Sequence, residues 1–134
     1  MDGLQEFLRP KTEKVEKREK KKRKTVAEFF KSIENFDESA IYAIDVTNKF
    51  KKSVKRCYAR NLDLGLLESV IYTLVQGKSL EPKYCCHQLT GLKLRSNEIV
   101  KECHIQPDWL LVWIENGSEL TLLLTDTGTH SDLF

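Results

Sequence analysis

Three apolar stretches fill most of the last third of this chain, and they constrain its fold more than anything before them. "IVKECHIQ" (99–106), "WLLVWIE" (109–115) and "ELTLLLT" (119–125) are rich in β-branched, aromatic and leucine side chains at ordinary strand length. The joins between them are too short for a crossover, so neighbouring strands must run antiparallel. The first join contains Pro107 and the second Asn116-Gly117, a strong short-range hairpin signal. A three-stranded meander of this kind needs cover on at least one face.

The cover lies upstream. "IYAIDVT" (41–47) reads as a further strand. Beyond Asn48, Phe50, Val54, Cys57 and Tyr58 recur at i, i+4, i+7 and i+8, which is one face of a helix. Asp63 is placed to cap a second helix with Leu67, Val70, Ile71 and Leu74 as its buried stripe, and Gly77 suits its end. Residues 78–98 show turn formers and no period, so they read as a loop. The order β-α-α-β-β-β predicts an α+β fold, a small antiparallel sheet with two helices packed on it.

Ahead of this body, Thr25 and Glu28 fit a capping box, and Val26, Phe29, Phe30, Ile33 and Phe36 recur at helical spacing. They predict an amphipathic helix docked on its own domain. "KTEKVEKREKKKRK" (11–24) has almost no apolar residue and fits either a charged helix or a disordered arm. The chain thus divides into a basic arm (1–24), an accessory helix (25–40) and a main domain (41–134). The net charge of +2 is unevenly spread. Residues 1–24 carry ten Lys/Arg against five acids, residues 25–40 one against four, and residues 41–134 eleven of each. The arm is either a solvated tail or a phosphate-binding element.

At 134 residues one domain is expected, and no apolar run approaches the roughly 20 residues of a membrane span. The charged N-terminus does not look like a signal peptide, so a cytoplasmic setting with Cys57, Cys85, Cys86 and Cys103 reduced is expected. "CCHQL" and "ECHIQ" place Cys and His together, but they lack the C-x₂₋₄-C spacing of a zinc site.

Hairpin geometry gathers the polar residues. With Asn116-Gly117 as a two-residue turn, Trp113 faces Leu120, Asp108 faces Thr125, and Asp126 falls at the same sheet end as Asp108. His104 returns to that end through the tight "HIQPDW" link, and His130 follows the last strand closely. Two histidines beside a carboxylate suit proton transfer near neutral pH. His87, the third histidine, lies in the loop entering the sheet. Trp109 and Trp113 share a strand face and read as core.

"CHQLTG", "KECHIQPDWLLVW" and the terminal "TGTHSDLF" resemble the YafQ branch of the RelE/ParE toxin superfamily, bacterial mRNA interferases of toxin–antitoxin pairs. The resemblance covers residues 41–134. It implies a RelE-like fold and cleavage of mRNA in the ribosomal A site with no cofactor or metal, by attack of a ribose 2′-OH on the adjacent phosphate. The partners implied are a cognate antitoxin, the ribosome and mRNA, with no membrane.

On that resemblance, His130, His104, Asp108 and His87 are the catalytic candidates, with His130 the principal acid/base group and Asp108 or His104 its partner. Lys101, Arg95, Lys93, Trp109 and Phe134 are candidates for binding substrate, Phe134 by packing or stacking. This chain departs at Asp126, where relatives carry an Arg suited to phosphate charge; Lys93 or Arg95 from the loop 91–98 is expected to replace it. A different class of function, an antitoxin-binding, autoregulatory protein of weak catalysis, fits the acid at 126. A further expectation makes helix 25–40 an in-cis shield over the active face.

Overall fold

A computed structural model describes residues 23–91 and 94–134, so the arm 1–22 and Lys93 lie outside the described residues. Thr25 caps helix α1 (Val26–Glu34) in a reciprocal capping box with Glu28. Strand β1 (Ala43–Val46) leads through the Thr47 cap into helix α2 (Asn48–Ala59), which buries Phe50, Val54 and Cys57. Asp63 caps helix α3 (Leu64–Val75), its side chain accepting the Gly65 N–H at 2.8 Å. Gly77 turns the chain away at φ +73°, where a Cβ would lie 2.6 Å from the Ile41 side chain. A short 3-10 turn (Pro82–Tyr84) precedes β2 (His87–Leu89), β3 (Glu98–Gln106), β4 (Trp109–Asn116), β5 (Thr121–Gly128) and the single turn α4 (His130–Leu133).

The expected α+β class holds. The sheet order is β1-β5-β4-β3-β2, with antiparallel pairs throughout except β1, which lies parallel to β5 at the edge. A parallel partner follows from the chain path: the long connection from β1 carries both helices across one face before the meander returns. Within the segment read as loop, His87–Leu89 forms a three-residue edge strand on β3. So short a strand gives no period from which to recognise it.

The β4–β5 turn differs from the expected two residues. Asn116 pairs with Thr121, so residues 117–120 form the loop. Asn116 stays in the strand and its Oδ1 accepts the N–H groups of Ser118 and Glu119 at 3.1 and 3.0 Å, while Leu120 takes the left-handed conformation at φ +53°. Trp113 therefore faces Leu124, not Leu120. Further along, the register shifts: Trp113 faces Leu124, whereas the next residue back, Val112, faces Asp126. Thr125 is the extra residue, and its hydroxyl donates to the Val112 carbonyl at 2.9 Å. Such a bulge reverses the alternation of a strand. Leu122 and Leu124 enter the core under the helices, Asp126 falls in line with Val112 and Glu102, and Thr127 turns into the core.

One side of the sheet thus buries Trp109, Leu111, Trp113, Cys103 and Ile105 against α2, α3 and α1. Burial pushes the Cys57 and Cys103 thiols up, which leaves neither poised as a nucleophile. Phe29 and Ile33 join this core, and Arg23 lies 4.2 Å from the Tyr58 ring while donating to the Tyr58 carbonyl at 2.7 Å. Lys24 pairs with Glu68 of α3. The accessory helix therefore docks on the helical side, as its amphipathic spacing predicted. It does not contribute to the cleft on the other side, which overturns the in-cis shield.

Candidate active site

The face of the sheet away from α2 and α3 carries a row set by register: His87 opposite Glu102, Glu102 opposite Val112, Val112 opposite Asp126. His87 Nε2 lies 3.4 Å from Oε1 of Glu102, a carboxylate whose side chain is 6% exposed. One row along, His104 is opposite Leu110, and Leu110 is opposite Gly128. Pro107 and Asp108 form the two-residue turn between β3 and β4, and His104 Nδ1 sits 3.2 Å from the Pro107 carbonyl. Tyr84, Cys85 and Pro107 share a hollow of about 600 Å³ with His104.

The tail is fixed at the same end. Thr129 caps α4 in a capping box with Asp132. The His130 backbone N–H points to Asp108 Oδ1 at 3.4 Å, and the His130 and Phe134 rings stand 5.5 Å apart, both side chains exposed. Arg60 of α2 donates to Asp132 at 2.6 and 3.3 Å, which together with the Thr129 N–H holds the Asp132 carboxyl well below the usual carboxylate range. Gly128 adopts φ +152°, and a Cβ there would meet Asp132 Oδ2 at 2.7 Å. A glycine is needed for the tail to fold back this tightly.

Between the row and the tail lies a cleft of about 380 Å³, lined by Lys49, Leu89, Val100, Val112, Ile114, Thr125, Asp126 and Phe134, among others. Asp126 is 4% exposed. It accepts hydrogen bonds from the Ser53 hydroxyl and the Thr127 N–H, and its other oxygen lies 3.3 Å from Lys49 Nζ. Arg56 donates to Ser53 Oγ at 3.1 Å.

His104, Asp108, His130 and Phe134 therefore gather at one end, with His87 along the same face. The register that led to this expectation was itself wrong, since Asp126 lies mid-sheet opposite Val112 rather than beside Asp108. Two of the expected substrate-binding residues are placed elsewhere. Trp109 is 1% exposed and donates its indole N–H to Thr127 Oγ1 at 2.9 Å, so it braces the strand from within the core. Lys101 is turned to the helical side, paired with Glu115 at 3.4 Å. Arg95 is exposed, follows Leu94 at the cleft rim, and donates its backbone N–H to Glu98 at 3.1 Å. Lys93 lies outside the described residues.

The sequence reading missed Glu102 and the polar stripe of α2. Glu102 was findable by the period of two from His104. Lys49, Ser53, Arg56 and Arg60 follow i, i+4, i+7 and i+11, a second helix face beside the apolar one. Among the described residues no group of three or more His, Cys, Asp or Glu is arranged to hold a metal ion.

The frame is thus a mixed sheet with helices on one face and His87, His104 and His130 set about the other, closed by a folded-back tail. Residues 42–134 match the profile of the bacterial toxin of type II toxin–antitoxin systems, YafQ. The chain belongs to that family. It is 28% identical to the mRNA interferase toxin YafQ of Escherichia coli strain K12, over 68% of this chain and 94% of the relative. Among solved structures it resembles a metal-bound toxin from Helicobacter pylori, with 38% identity and a TM-score of 0.62, covering 69% of this chain and 99% of the other. It also resembles the toxin of the E. coli DinJ–YafQ toxin–antitoxin complex, with 26% identity, a TM-score of 0.60 and coverage of 70% and 98%.

Proposed function

We propose that this protein is the toxin of a type II toxin–antitoxin pair and an mRNA endoribonuclease acting at the ribosome. The observation that carries the reading is the convergence of His104, Asp108, His130 and Phe134 at one end of an open sheet face, beside a cleft. Cleavage proceeds by attack of a ribose 2′-OH on the adjacent phosphate, leaving a cyclic phosphate and a free 5′-OH. The reaction needs a base for the 2′-OH, an acid for the departing 5′ oxygen, and positive charge near the phosphate.

His130 serves as the principal acid/base group, with His104 or Asp108 as its partner. Asp108 also holds the His130 backbone. His87, oriented by Glu102, binds RNA at the opposite border of the face. Phe134, 69% exposed, offers a surface for a base to stack on. A cognate antitoxin covers this face or displaces the tail that carries His130 and Phe134. The arm 1–24, with its excess of five positive charges, adds attraction to ribosomal RNA, while residues 25–40 brace the main domain 41–134.

A second reading, an antitoxin-binding protein of weak catalysis, is favoured by the buried carboxylate of Asp126 in the cleft. Expression without antitoxin separates the two. The nuclease reading expects translation arrest by the wild type and none by His130→Ala; equal growth of the two strains supports the second.

A further inference from the structure

The cleft needs a cation for the phosphate, and its described lining offers only one, Lys49. We infer that Lys49, on the first turn of α2, is the phosphate-contacting residue of this site and that the buried Asp126 is its positioning residue. The inference rests on the nuclease reading above and names the charge that reading requires.

The geometry assigns the two partners different roles. Asp126 is the inner group: Ser53 and the Thr127 N–H occupy one oxygen, and the side chain is 6% exposed. Its second oxygen has no hydrogen-bond donor among the described residues other than the Lys49 ammonium, 3.3 Å away. Lys49 is the outer group, with 69% of its side chain exposed. One side of the ammonium faces the buried carboxylate, which leaves its remaining donors directed at the cleft. The local charge stays positive, because Arg56 approaches the same Ser53 hydroxyl from the next turn of α2.

The bulge at Thr125 completes the device. By reversing the alternation it aims residue 126 at the open face, and α2 begins beside that point, with the Thr47 hydroxyl donating to the Thr125 carbonyl at 2.7 Å. A cation at 126 would stand against Lys49 and Arg56. Carrying the charge on α2 and its counter-charge on β5 avoids that repulsion and still presents an ammonium to a phosphate.

The test is cleavage of translated mRNA in a reconstituted system, with kcat and KM measured for each variant. Lys49→Ala is expected to lower kcat on the order of 10- to 100-fold, less than a fully buried donor because the ammonium is exposed. KM should move less, and the thermal midpoint should stay within a few degrees of wild type. Lys49→Arg should keep most of the activity. Asp126→Arg alone should be impaired, and Lys49→Asp/Asp126→Arg should recover part of the loss. Lys52→Ala, an exposed lysine of α2 outside the cleft, is the control. If Lys49→Ala cleaves like wild type while His130→Ala is inactive, the nuclease reading stands and this inference falls. A wild type that cuts no message sinks both.

Discussion

Gly128 shows how one residue governs the site. Its φ of +152° and the 2.7 Å distance from Asp132 Oδ2 to where a Cβ would stand leave no room for a side chain. Gly128→Ala is therefore expected to cost about 1–3 kcal/mol and to loosen the tail, read as a lower unfolding midpoint with faster amide exchange at residues 129–134. Asp132, in the same turn, gives the tail its pH dependence. Its native carboxyl is depressed by Arg60, so the stabilisation is fully present above the roughly 3.9 of an unfolded aspartate. It is lost as the pH falls below that value toward the native one, because the unfolded state takes up the proton first. Asp132→Asn should lower the unfolding midpoint at neutral pH and flatten its decline below about pH 4; an unchanged acid limb would contradict this assignment.

At the scale of elements, periodicity carried most of the information. The stripes Phe50/Val54/Cys57 and Leu67/Val70/Ile71/Leu74 are buried in α2 and α3, and the caps at Thr25 and Asp63 form as their side chains imply. The strand ladder was less legible. Asn116-Gly117 signalled a hairpin, yet the Asn116 side chain bonds the loop instead of entering it, which moves every β4–β5 pair. A bulge depends on packing across strands and leaves no local pattern, so the turn of Asp126 toward the cleft could not be read. His104, Asp108 and His130 still fall at one end despite the different register, because short connections tie them there. Accessory helix α1 offers a prediction at this scale. Phe29 is fully buried against Phe50, their ring centroids 6.4 Å apart. Phe29→Ala should destabilise the whole domain by about 3–5 kcal/mol in denaturant unfolding; a loss under 1 kcal/mol would show α1 to be an appendage.

For the whole molecule, the two faces of the sheet divide the work. One is closed by α1, α2 and α3 over the tryptophans, and on that side Lys101 pairs with Glu115. The other stays open and carries His87, Glu102, Asp126 and the cleft, with the tail folded over its end. Helix α2 joins the two: its apolar stripe enters the core, while Lys49, Ser53, Arg56 and Arg60 grip the two aspartates that flank His130 in sequence. The central claim is that this open face cuts messenger RNA with His130. Primer extension on an actively translated message, comparing wild type with His130→Ala, tests it most directly. Discrete cuts within the reading frame by the wild type, and loss of those cuts in a folded His130→Ala protein, are the predicted result. The same cuts at the same rate from both proteins would contradict it.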